Sequence, residues 1–211
     1  MSERLEERAP LRVTLESGLK TRLRPLGPED IRRVQEAWHL LSDESKRNRY
    51  WNRQNEMSEE LASALVTTDS ANHLAWIALH ESDDDFPGYG GASLWRDEEN
   101  PESAEITFTI GDTWQREGLA SLFFSLLWFE GWQIGIREIT GVARPRNAAI
   151  RDWWDSLGGE LSIRSGHLHF RFPLEAPEMF RQRVAYEMPP SSRRVAVAEW
   201  LQEWESVSSS S

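Results

Sequence analysis

AEITFTIGDTWQREGLA, running from Ala104 to Ala120, decides how the rest of the chain is read. Its first seven residues alternate apolar with polar side chains, the period of a strand. A short polar loop follows. From Gly118 onward, Leu119, Leu122, Phe123, Leu126 and Leu127 recur at helical spacing. The chain therefore turns from strand to helix at a glycine. A helix N-terminus leaves amide N–H groups unpaired and carries partial positive charge, which suits an anionic phosphate. Gly118 has no side chain to hold a phosphate away, and Ala120 is nearly as small. Alone, Gln-x-x-Gly-x-Ala is a short pattern that arises readily by chance. Its neighbours give it weight.

Upstream, Leu19 to Pro25 alternates apolar and charged residues and predicts a first strand, after a polar, irregular segment over residues 1–18. Pro28, Glu29 and Asp30 suit a helix start, with Ile31, Val34, Ala37, Trp38 and Leu41 on one face. A second helix is expected over Ser58 to Val66, with Ser58 as its cap. Strands are expected at 73–80 and 89–95, separated by a turn at 83–88, and at 104–110. Downstream, Arg137 to Ala143 predicts a strand, and Asn147 to Leu157 a helix closed by Gly158 and Gly159. Ser165 and Gly166 separate two short strands at 160–164 and 167–172. The order is that of an α+β fold, with a mainly antiparallel sheet of about six to seven strands and one strand–helix–strand crossover. Residues 19–173 form the expected domain. Residues 174–211 form a helical extension ending in a serine run, in which the helix at 196–204 packs back on the domain or pairs with a second subunit.

Composition narrows the partners. The 211 residues carry a net charge of −11, and phosphate backbones reward clustered Lys and Arg, so nucleic acid is not an expected partner. An acidic surface favours encounter with cationic amines, although simple solubility explains it equally. There is no cysteine, which excludes disulfides, thiolate zinc sites and cysteine nucleophiles. No apolar run approaches the ~18 residues of a spanning helix, and the charged start lacks a signal-peptide core, so a cytoplasmic protein without membrane contact is expected. His167 and His169 share a strand face, but no carboxylate stands at a convincing spacing and no metal is expected. Eleven Trp in one modest domain read mainly as core anchors.

Gln115, Gly118 and Ala120 resemble the pyrophosphate-binding motif of the GNAT acetyltransferases, Q/R-x-x-G-x-G/A, which in that family follows the fourth strand and opens the third helix. The second family signature, Asn, then Tyr, then Gly-Phe, is similar to Asn147, Trp154, Gly158 and Gly159 here. The stretch from Leu23 to Trp51 resembles the opening of bacterial protein-lysine acetyltransferases. The likeness covers about Leu19 to Phe172 and implies a GNAT fold with helices on both faces, splayed between the fourth and fifth strands. It also implies an N-acetyltransferase using acetyl-CoA as acyl donor, with a protein lysine or a small-molecule amine as acceptor. The cofactor-binding residues it implies are Ile110, Gly111, Asp112, Gln115, Arg116, Glu117, Gly118, Leu119, Ala120, Ser121 and Asn147. Three positions depart from the family pattern. Glu117 places a carboxylate near the expected phosphates, beside a compensating Arg116. Trp154 replaces a tyrosine that protonates the departing thiolate in many relatives, and Gly159 replaces a phenylalanine.

An amine of pKa ~10.4 is almost wholly protonated at neutral pH, so a base must take its proton. The resemblance points to Glu105, in an Ala-Glu-Ile setting, as that catalytic base. Strand geometry puts Glu105, Thr107 and Thr109 on one face, with Ile106, Phe108 and Ile110 on the other. Otherwise Glu105 is a solvated strand residue or pairs with an arginine. In the family a backbone N–H near Ile110 holds the oxyanion. The charge-rich stretch Ser42 to Arg49 is a polar helix connection or, by the family likeness, a wall of the acceptor site. The three departures leave one rival from another class, a catalytically silent GNAT-like module that binds acyl-CoA or acts as an interaction protein.

Overall fold

The computed structural model describes residues 10–15, 17–50, 56–69, 71–81 and 87–175. The tail helix expected at 196–204 and most of the turn at 83–88 lie outside them. Eight strands form one sheet in the order β1-β2-β3-β4-β5-β6-β8-β7. They are β1 (Leu11–Thr14), β2 (Lys20–Pro25), β3 (His73–His80), β4 (Gly90–Arg96), β5 (Ser103–Ile110), β6 (Glu138–Ala143), β7 (Glu160–Arg164) and β8 (His167–Pro173). All neighbours are antiparallel except β5 and β6, which the crossover helix makes parallel.

The irregular segment expected up to residue 18 is corrected by β1. Four residues carry too little periodicity to read alone, and the strand exists because pairing with β2 buries Leu11 and Val13. The sheet is therefore one strand larger than expected, and the splayed pair is the fifth and sixth strands of the chain.

The helices are α1 (Ile31–Leu40), α2 (Asp43–Tyr50), α3 (Glu59–Val66), α4 (Leu119–Gln133) and α5 (Ala148–Leu157). A 3₁₀ turn at Pro28–Asp30 precedes α1, and Ser58 caps α3 by accepting from the Leu61 amide at 3.1 Å. α2 replaces the polar connection expected after Ser42.

β3 separates two cores. Leu74, Trp76 and Ala78 join α4 and α5, whereas Ala75, Ile77 and Leu79 meet Leu26, Val66 and α1. Burial on both faces explains why β3 reads as an unbroken apolar run. α4 is buried along nearly its whole length, and around it Phe124, Trp128 and Phe172 meet edge to face at 4.8–5.8 Å. Much of the aromatic content is spent there, as core packing. Among the described residues no helix is long and apolar enough to cross a membrane.

Candidate active site

β5 and β6 are in register over only three pairs, Ser103–Glu138, Ala104–Ile139 and Glu105–Thr140. Beyond Glu105 they part, while β5 stays paired with β4 to Ile110. The Ser103 carbonyl accepts from Asp97 on the β4 side, and the Gly111 amide donates to the Tyr89 carbonyl at 3.0 Å on that same side. Strand alternation then turns the N–H groups of Ile106, Phe108 and Ile110 into the gap.

α4 begins at the mouth of this gap. Gly118 stands at its N-cap with φ 98°, a left-handed conformation that favours glycine, and Arg116 two residues earlier has φ 67°. These two reversals tighten the loop so that α4 starts abruptly. No side chain caps the helix. The first intrahelical acceptor, the Gly118 carbonyl, takes the Leu122 amide at 3.0 Å, so Leu119, Ala120 and Ser121 have amides without a helical partner. Leu119 is itself buried, so only its backbone faces the loop. Three amides without a helical partner at a helix start, beside a gap in the sheet, are donors of the kind that suits an anion.

Other residues expected at the cofactor have different local duties. Asp112, in a 3₁₀ turn (Asp112–Trp114), accepts from the Ser42 amide at 2.8 Å, the Ser42 hydroxyl at 2.9 Å and the Ser45 hydroxyl at 2.7 Å. Partial burial raises its carboxyl, but those three hydrogen bonds outweigh it and hold the group below the usual aspartate range. Gln115 donates to the Ser45 hydroxyl at 3.2 Å and the Ile110 carbonyl at 3.3 Å. The loop entering α4 is thus latched to the start of α2. Asn147 caps α5, accepting from the Ile150 amide at 3.2 Å. Arg116 is exposed, while Gly111 and Glu117 are half-buried along the loop.

On the sheet face that carries Thr107 and Thr109, α1, α2 and β3–β5 line a half-open cavity of about 140 Å³. Trp38, Tyr50, Met57, Tyr89 and Trp114 line it, with Arg49, Thr107 and Thr109 along one wall. Glu105 lies on the same strand face. Desolvation by the surrounding protein raises its carboxyl above the ordinary range, while Arg49 and then His169 oppose the shift. Glu105 is itself exposed, so solvent screens it and the upward shift is a modest one. A carboxylate raised in this way, at the point where two strands part, is placed to act as a proton acceptor.

Of the two adjacent tryptophans on α5, Trp154 is buried, stacked 4.9 Å from Phe170, with its Nε1 lacking any partner. A Cβ on Gly141 would approach its ring to 2.7 Å, and a Cβ on Gly159 would overlap the Phe170 ring. The departures at 154 and 159 therefore belong to one packing solution. The larger indole requires Gly141, and Phe170 occupies the space beside Gly159 that a side chain there would need. Trp153, unremarked in the sequence, donates to the Ser121 hydroxyl at 3.0 Å and meets Phe108 edge to face at 5.4 Å, bridging the gap. The Ser42 to Arg49 stretch, read as a polar connection or a wall of the acceptor site, does line the cavity through Arg49, but the cavity aromatics escaped the sequence reading, because residues from 26 to 114 in sequence meet there only through folding.

The model of the GNAT acetyltransferase domain matches residues 20–160. Acetyltransferase Pat of Mycolicibacterium smegmatis is 26% identical over 149 residues, 71% of this chain and 44% of that relative, so the chain spans less than half its length. The GNAT domain of S. lividans PAT superposes with a TM-score of 0.71 at 20% identity, covering 78% of this chain and 96% of that one. A putative acetyltransferase from Salmonella typhimurium, solved with acetyl-CoA, gives a TM-score of 0.58 at 16% identity over 74% and 94% of the two chains. The family model spans every element from β2 to the end of α5, both sides of the parted strands included, and the chain accordingly belongs to the GNAT acetyltransferase family, a family of acyltransferases.

Proposed function

We propose that the protein transfers an acetyl group from acetyl-CoA to a primary amine. The observation that carries this reading is the end of β5–β6 pairing at Glu105, beside the unpaired first-turn amides of α4. The pyrophosphate of acetyl-CoA rests on the amides of Leu119, Ala120 and Ser121, with Gly118 allowing close approach. Its pantetheine arm lies in the gap, where the N–H groups of Phe108 and Ile110 receive the thioester oxygen as it gains charge. The amine enters from the Glu105 face. Glu105 takes one proton from the ammonium to free its lone pair, the nitrogen forms a bond to the acetyl carbon as the carbon–sulfur bond breaks, and the second nitrogen proton passes to water. The thiolate leaves unaided, since a thiol of pKa ~8.5 is a tolerable leaving group. Trp154 takes no part in proton transfer, because an indole N–H donates a hydrogen bond but yields no proton. The likeness of the Leu23 to Trp51 stretch to protein-lysine acetyltransferases makes protein lysines acceptors to be tested alongside small amines.

Glu105→Gln tests the assignment. Turnover at pH 7 is expected to fall about 10²- to 10³-fold, while calorimetry shows acetyl-CoA binding unchanged. In the parent, kcat/KM rises with pH along a limb above the ordinary glutamate value of ~4.3, because Glu105 must be ionised to act. That limb disappears in the variant. Turnover of Glu105→Gln equal to the parent's removes Glu105 as the base, and failure of the parent to bind acetyl-CoA at micromolar concentration points to the silent module instead.

A further inference from the structure

The cavity on the Glu105 face holds one charged group in an unusual state. Arg49, half-buried on α2, donates from Nη2 to the Thr107 hydroxyl at 3.1 Å and lies over the Tyr50 ring at 4.8 Å. Its Nε is buried with no acceptor among the described residues. Among the described residues no carboxylate comes within ion-pair distance of it, and Glu105, which feels its charge, does so only at longer range. Arg33 on the same wall shows the usual arrangement, with Asp30 at 3.4 Å. Asp112, the nearby loop carboxylate, already accepts three hydrogen bonds from Ser42 and Ser45. Partly buried charges are ordinarily paired, because loss of water without a counter-charge is costly. An arginine left open at the wall of an apolar cavity is therefore suited to an anion that arrives with a ligand.

The cavity limits the rest of that ligand. Its volume of about 140 Å³, open on one side, has room for at least one ring, since a closed cavity of ~150 Å³ takes benzene, and Trp38, Tyr50 and Trp114 present aromatic walls. Glu105, on the same strand face as Thr107, supplies the opposite charge close enough for Arg49 to act on it. We propose that the acceptor is an α-amino acid with an aromatic or comparably large apolar side chain. Its ring fills the cavity, its carboxylate pairs with Arg49 and its α-amine faces Glu105. A free α-amino acid carries cation and anion on one carbon and so matches two opposed charges on neighbouring elements. A lysine side chain offers four methylenes and a cation, and would set that cation near Arg49 with no anion to offset it. The inference rests on the acyl-transfer reading for the identity of the reaction, but binding of the acceptor is measurable without it.

The test compares L-phenylalanine, L-phenylalaninamide, L-alanine and an Nα-acetyl-lysine peptide as acceptors with acetyl-CoA, and measures their binding by tryptophan fluorescence. L-Phenylalanine is expected to exceed its amide by tenfold or more in both kcat/KM and affinity, since hydrogen bonds to a charged group are worth about that factor. It is also expected to exceed L-alanine by a similar margin. Arg49→Gln should collapse the acid-to-amide ratio toward one, with Arg49→Lys restoring part of it. If the glutamine variant does not fold, the acid-to-amide ratio of the parent protein still decides. An amide used as well as the acid, or a lysine peptide preferred to both, overturns the proposal while leaving acyl transfer intact. Acid-selective binding without acetyl-CoA binding would keep the pocket assignment and overturn the acyl-transfer reading.

Discussion

The two sides of β5 are built from different materials. On the gap side the available donors are backbone amides: the first turn of α4 and the free edge of β5 beyond Glu105. On the cavity side they are side chains from α1, α2, β4, β5 and the loop at Trp114, which meet only in the folded protein. A site made of amides needs only a strand, a loop and a helix in the right order, and so it lies in seventeen consecutive residues. A site made of side chains depends on which faces pack together. Asp112 and Gln115 tie the two sides together, joining the loop before α4 to the start of α2.

Three substitutions would sharpen or break this division. The largest effect is expected from Gly118→Asp, which puts a side chain at φ 98° and a carboxylate where a phosphate should rest. Acetyl-CoA affinity should fall about 100-fold or more by calorimetry, with acceptor binding little changed; equal loss on both sides would mean the two sites are not separable. Asp112→Ala comes next. Loss of three hydrogen bonds releases α2 from the loop, and KM for the amine should rise about tenfold, with a smaller rise for acetyl-CoA. If only acetyl-CoA responds, the latch serves the cofactor loop alone. Trp153→Phe keeps the edge-to-face contacts but removes the donor to Ser121. A two- to fivefold rise in KM for acetyl-CoA is expected, from a net hydrogen-bond contribution of about 1 kcal/mol or less.

Most elements from Lys20 to Pro173 were legible in sequence because each combined a clear period with a local stop signal. Gly158 ends α5 with φ 76°, and Ser58 and Asn147 cap their helices as their residue types suggest. β1 was not legible, since four residues with no turn of their own depend on the β2 partner. α2 was missed for a related reason: DESKRNRY has no apolar stripe, and its position comes from the Asp112 latch and from the Arg49–Thr107 contact.

Local chemistry by itself determined that a strand turns into a helix at Gly118, that Glu105 shares a strand face with Thr107 and Thr109, and that the fold is α+β. Those properties follow from backbone periodicity and from the conformations glycine allows, both of which are written in neighbouring residues. Only the tertiary structure decided that Trp153 rather than Trp154 spans the gap, that Trp154 and Phe170 share one stack made possible by Gly141 and Gly159, and that Arg49 stands open in an aromatic cavity. Each of these depends on which of several chemically similar side chains faces which partner. That choice is made by close packing between segments far apart in the chain.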